Sequence, residues 1–90
     1  MEAKATVRNA AGIHVRPSGV IYTAFSGSSC DLLISAKGRS ADLKSVVGLI
    51  ALGLLLGDEV DVRVTGPDEP NVCSRLVEFL ERQYDYPPKN

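Results

Sequence analysis

Val60-Asp61-Val62-Arg63-Val64-Thr65-Gly66-Pro67-Asp68-Glu69-Pro70 is the stretch from which the architecture is read. Three valines alternate with Asp61, Arg63 and Thr65, the two-residue period of a strand with one buried face. Gly66-Pro67 closes the strand. Asp68-Glu69 with Pro70 then opens a helix that is acidic in its first turn. Val72, Cys73, Leu76, Val77 and Leu80 give that helix a single apolar face. A half-buried strand feeding a one-faced helix calls for two layers, with helices stacked on one side of a sheet.

The same alternation of strand and helix continues upstream. Leu32, Ile34 and Ala36 alternate as a strand, and Lys37-Gly38 turns the chain into a short strand near Arg39 to Asp42. Residues 3–8 alternate as a first strand, with Ala3, Ala5 and Val7 against Lys4, Thr6 and Arg8. Asn9 to Gly12 is a loop. Pro17 begins a helix whose apolar set is Val20, Ile21, Ala24 and Phe25, ended by Ser26-Gly27-Ser28-Ser29. A short helix runs from about Ser45 to Leu52, with Gly53 as its stop. Tyr84 to Asn90, containing Pro87-Pro88, is expected to be a tail that cannot continue the last helix. The order is β-α-β-β-α-β-α, an α+β open-faced sandwich in a single domain over 1–90. Pattern alone leaves the strand order open, with a ferredoxin-like split βαβ as the default.

Composition excludes several function classes. The 90 residues carry 10 basic and 11 acidic side chains, a net charge of −1, so the basic excess of a nucleic-acid or anionic-membrane binder is missing. Aromatics are 6% with no Trp, which disfavours a base-stacking surface. With 44% hydrophobic residues and mean hydropathy +0.03, the expectation is a small soluble folded domain rather than a disordered chain. The apolar run Val46 to Gly57 falls short of the ~20 residues that span a bilayer. Met1-Glu2-Ala3-Lys4 opens without the apolar region of a secretion signal, which points to the cytoplasm. Cys30 and Cys73 lack metal-ligand spacing and a disulfide framework. They are expected as small core residues of a reduced protein, with no metal.

One segment carries chemistry. Gly12-Ile13-His14-Val15-Arg16-Pro17-Ser18 places the only histidine directly before a helix start. Pro17 suits the first helical position, and Arg16 before it is biased toward extended backbone. His14 would then lie beside free N–H groups and a positive dipole end, a ready anion site. Arg16 adds a guanidinium suited to bridging phosphate oxygens. A phosphate carried on the imidazole itself makes use of all these parts. The helix N-terminus disfavours the imidazolium, so His14 is expected to titrate low and keep a ring nitrogen free to attack. Transfer of a phosphoryl group needs mainly positioning and charge neutralisation. On the residues alone, a lone histidine in a polar loop or a helix-cap substitute remains the competing reading.

The segment resembles the phosphorylation-site signature of the HPr family, the histidine-containing phosphocarriers of the bacterial phosphoenolpyruvate:sugar phosphotransferase system. Leu43-Lys44-Ser45-Val46-Val47-Gly48-Leu49, followed by Leu52-Gly53 and Gly57, resembles the family's regulatory-serine region. Element order, the Gly66-x-Asp-Glu69 entry to the last helix and overall length also agree. The resemblance therefore covers residues 2 to about 84. It implies that His14 accepts a phosphoryl group on Nδ1 from phosphorylated enzyme I and passes it to a histidine on an enzyme II A domain. Arg16 would pair with the phosphate, and the helix-start residues Val15, Pro17 and Ser18 would surround it. It implies no cofactor, a carrier rather than an enzyme, and a monomer. The implied fold is a four-stranded antiparallel sheet in the order 1-4-2-3 with three helices on one face, which replaces the ferredoxin-like default.

Ser45 falls where some members are phosphorylated by HPr kinase/phosphorylase; its plain reading is a helix N-cap. The helix after it has two apolar stripes, Leu49 with Leu52 and Val46 with Val47 and Ile50. The resemblance makes Val46, Val47 and Ile50 a surface shared by enzyme I and the enzyme II domains, against the reading that all five are core. Val15 and Ser18 stand where the family commonly has alanines, and Leu54-Leu55-Leu56 is more apolar than usual before Gly57. A second function class is a regulator on the same fold, nitrogen-related or signalling through Ser45 to a kinase or transcriptional regulator without sugar transport. Retention of His14 and Arg16 favours the carrier. An RNA- or acyl-phosphate-binding domain is disfavoured by the balanced charge.

Overall fold

The computed structural model describes residues 1–13 and 15–84. Four strands and three helices follow in the order β1 (Glu2–Thr6), α1 (Val15–Phe25), β2 (Asp31–Ala36), β3 (Arg39–Asp42), α2 (Val46–Ala51), β4 (Glu59–Thr65) and α3 (Glu69–Glu81). The strands form one sheet in the order β1-β4-β2-β3, and every neighbouring pair is antiparallel. The ferredoxin-like order is thereby excluded and the 1-4-2-3 order is present.

Register explains the core. Val60 and Val62 pair with Ala5 and Ala3 on one side, while Val62 and Val64 pair with Ile34 and Leu32 on the other. One-residue alternation puts all of these on the helix-covered face, where Val60, Val62, Val64 and Ile34 are fully buried. Small side chains on β1 leave room for α3, whose Cys73, Leu76 and Leu80 pack down on the sheet. Phe25 of α1 meets Phe79 of α3 edge-on at 5.4 Å, joining the two long helices. The β2–β3 turn holds Lys37 at φ 55° and Gly38 at φ 75°, the pair of left-handed residues that a two-residue hairpin requires.

Several boundaries differ from the pattern reading. The first strand stops at Thr6 rather than Arg8, because its partner ends at Glu59. Val7 instead bonds the turn before β4, donating to Asp58 O and accepting from Gly57 N. The first helix begins at Val15, two residues before Pro17. Arg16 is therefore helical rather than extended, and Pro17 is third in the helix. That position is tolerated because its missing N–H is one of the first-turn donors without an intrahelical partner. Tyr84 does not belong to a free tail. It is 5% exposed, its hydroxyl donates to Phe79 O at 2.6 Å, and its backbone N–H donates to Asn9 Oδ1. Residues 85–90, the rest of the expected tail, lie outside the described residues. Cys30 and Cys73 are both buried free thiols. No described helix is long and apolar enough to cross a membrane.

Candidate functional site

His14 lies outside the described residues, and so does the expectation that it titrates low. Its flanks, Gly12-Ile13 and Val15, define the site. The approach is held by a buried asparagine. Asn9 is fully buried, its Nδ2 donates to Gly12 O at 2.7 Å, and its Oδ1 accepts from Tyr84 N. Gly12 N returns a bond to Asn9 O at 2.9 Å, closing a tight turn. Gly12 sits at φ +75°, and a Cβ there would lie 2.2 Å from Leu54 O, so both conformation and space demand glycine. Ile13 N then donates to that same Leu54 O at 2.9 Å. The backbone entering His14 is thus pinned on one side by Asn9 and on the other by the α2–β4 connection.

Beyond His14 the chain enters α1 at once. The first turn of α1 contains no acidic side chain to offset the positive end of the helix. Val15 is 68% exposed and Arg16 is exposed, whereas Pro17 and Ser18 are buried. Buried Pro17, Ser18, Ile21 and Phe25 form the inner stripe; Val20, expected with the apolar set, is on the outer side. The Ser18 hydroxyl has no hydrogen-bond partner among the described residues, so it faces the packed interior rather than solvent. Among the described residues, no group of three or more His, Cys, Asp or Glu could hold a metal.

Ser45 is exposed and caps α2, its Oγ accepting from Gly48 N at 3.1 Å. The two stripes of α2 separate: Leu49 and Leu52 are buried, Val47 is 71% exposed, and Val46 and Ile50 are half-buried. The reading that all five are core is therefore wrong, because a single turn and a half of helix cannot bury opposite sides against one sheet. Sequence reasoning missed Asn9, Leu54 and Tyr84 as supports of the histidine loop. Asn9-x-x-Gly12 was a visible turn signal, but its long-range partner was not.

A family model described as the PTS HPr component phosphorylation site matches residues 1–82. A phosphocarrier protein HPr of Chlamydia trachomatis is 36% identical over 80 residues, covering 89% of this chain and 73% of that protein. One from Xylella fastidiosa is 29% identical, covering 94% of this chain and 96% of the relative. Among solved structures, HPr of Bacillus anthracis superposes with TM-score 0.84 at 18% identity, over 90% of this chain and 96% of the other, which speaks for the fold. HPr-C-His of Thermoanaerobacter tengcongensis gives TM-score 0.81 at 25% identity, over 89% and 90%. A pinned loop leading into an acid-free helix start, on a 1-4-2-3 sheet, is matched by a family model over nearly the whole chain: this protein belongs to the HPr family of phosphotransferase-system phosphocarriers.

Proposed function

We propose that the chain takes a phosphoryl group from phosphorylated enzyme I onto Nδ1 of His14 and hands it to a histidine of an enzyme II A domain. The observation that carries this reading is the start of α1 directly after His14, with Arg16 exposed in a first turn free of carboxylates. In each transfer the acceptor imidazole attacks phosphorus, the donor N–P bond breaks as the new one forms, and the donor nitrogen keeps the electron pair. Helix-start N–H groups and Arg16 would offset charge on the phosphoryl oxygens without a metal. Net chemistry on the carrier is zero over a cycle, so it is a carrier and no enzyme. Its place of action on this reading is the cytoplasm, as a monomer. Incubation with phosphoenolpyruvate and enzyme I is expected to yield one acid-labile phosphate that His14→Ala abolishes. Acid-stable label surviving in His14→Ala overturns the reading.

Ser45 is the site for a second, regulatory phosphate. Its hydroxyl is exposed and unencumbered by carboxylates in the first turn of α2. HPr kinase/phosphorylase with ATP is expected to label the protein and to leave Ser45→Ala unlabelled; an unlabelled wild-type protein removes this role. Val46, Val47 and Ile50 complete the reading as the surface that enzyme I and the A domains meet.

A further inference from the structure

Among the described residues only Asn9 and Ser18 are buried polar side chains. Ser18 leaves its hydroxyl unpartnered, whereas Asn9 bonds at both ends of its amide. Burying a carboxamide is unfavourable unless those bonds are made, and an apolar side chain of similar size would fill the space without them. What the amide supplies in exchange is direction. Its Nδ2 donates to Gly12 O, and the N–H of the same peptide unit, on Ile13, donates to Leu54 O. Both polar atoms of the Gly12–Ile13 peptide are therefore committed, and its plane cannot turn without breaking two bonds. Ile13 is itself 1% exposed, so its side chain holds from within the core. On the other side Val15 already belongs to α1. His14 is the single residue between two fixed frames.

The frame on the loop side is tied to a residue 75 positions away. Asn9 Oδ1 accepts from the backbone N–H of Tyr84, and the Tyr84 hydroxyl donates to Phe79 O at 2.6 Å. Phe79 stands in the last turn of α3 and meets Phe25 of α1 edge-on. Thr6, at the end of β1, donates its N–H to Glu81 Oε2 at 2.9 Å and fixes that turn against the sheet. Asn9 thus joins α3 to the Gly12–Ile13 peptide. Turned over, its amide would set Nδ2 against an N–H and Oδ1 against a carbonyl, two repulsions in place of two bonds. Phosphoryl transfer depends mainly on placement, and an error of about 1 Å costs on the order of 10²-fold. The rate at His14 is therefore sensitive to this frame in a way that affinity for a partner is not.

We infer that Asn9, held by Tyr84, is a positioning residue for phosphoryl transfer: it sets the backbone from which His14 meets the phosphoryl group. This rests on the phosphocarrier reading and adds to it how the site is held to the geometry of transfer. With enzyme I of the same cell, charged by phosphoenolpyruvate, Asn9→Ala is expected to lower kcat roughly tenfold or more while KM stays within about twofold. Val64→Ala opens a cavity in the sheet away from the loop and serves as the control for lost stability alone. Its kcat should remain that of wild type at a temperature where circular dichroism shows every variant folded. Where Asn9→Ala fails to fold, Tyr84 gives the same reading. Tyr84→Ala keeps the N–H that Asn9 accepts and Tyr84→Pro removes it, while both lose the ring. The proline variant is expected to lose at least about fivefold more kcat than the alanine variant. The uncharged protein supplies a readout without any transfer. In proton NMR the His14 imidazole of Asn9→Ala, or of Tyr84→Pro, is expected to titrate nearer the ~6.5 of an unperturbed histidine than in wild type. Wild-type kcat in folded Asn9→Ala, or equal losses in the two Tyr84 variants, overturns the inference and leaves the carrier reading standing. A wild-type His14 that accepts no phosphate, with the NMR difference intact, removes the carrier reading and leaves Asn9 as the residue that places His14.

Discussion

Ser18 shows how much a single atom can be misjudged without its surroundings. Its position beside Pro17 suggested a hydroxyl facing a phosphate, yet the residue is fully buried and Oγ lacks a partner among the described residues. A buried hydroxyl without a hydrogen bond forfeits its hydration and gains nothing in return. Ser18→Ala is expected to raise stability by about 1 kcal/mol, read as a higher urea midpoint at constant slope. A lower midpoint would show that the hydroxyl has a partner after all. Asn9 is the contrasting case. It is equally buried, but both ends of its amide are used, joining Gly12 to Tyr84. The residue type and the Gly12 spacing marked a turn in the sequence. The partner 75 positions away did not, because nothing local encodes it.

At the scale of elements, α2 is the informative piece. Six residues with no charged side chain read equally well as core or as surface until the sheet supplies a direction. Leu49 points into the core at 0% exposure and Val47 out at 71%, with Ile50 between them. Ile50→Asp is expected to fold and to slow transfer from enzyme I by roughly tenfold, the loss of about one apolar contact. Leu49→Asp is expected to unfold, since an unpaired charge in the core costs more than a small domain can spare. Equal unfolding of both variants would return Ile50 to the core and remove it from the partner surface. Helix α1 gives a related lesson. The preference of proline for the first turn puts its start at Pro17 in the sequence, and the observed start at Val15 still keeps Pro17 within that turn.

Across the whole molecule, charged groups tie distant segments together at the rim. Asp58 ionises below its ordinary value of 3.8, chiefly through its bond to Lys37 and then through Leu55 N. Glu69 ionises below 4.5, chiefly through the Met1 ammonium and then through Gly66 N. A carboxyl whose folded pKa is lowered contributes stability above its unfolded value and loses it as pH falls through the folded one. Both contributions are therefore present at neutral pH and fade below about pH 4.5, Glu69 beginning before Asp58. Urea midpoints of wild type and Asp58→Asn should differ at pH 6 and converge near pH 2. A difference that persists in acid would show that shape, not charge, holds that turn.

The sequence by itself determined the order of elements, because strand and helix periods, Gly and Pro stops and turn pairs are local signals. It also supplied the motif and the resemblance on which the proposed roles of His14 and Arg16 rest. Only the tertiary structure decided which apolar residues of the run 46–57 are core and which stand in water, that Tyr84 closes the fold, and that Leu54 supports the histidine loop. Those outcomes depend on contacts between segments far apart in the chain, and burial is a property of the assembled layers rather than of any window of residues.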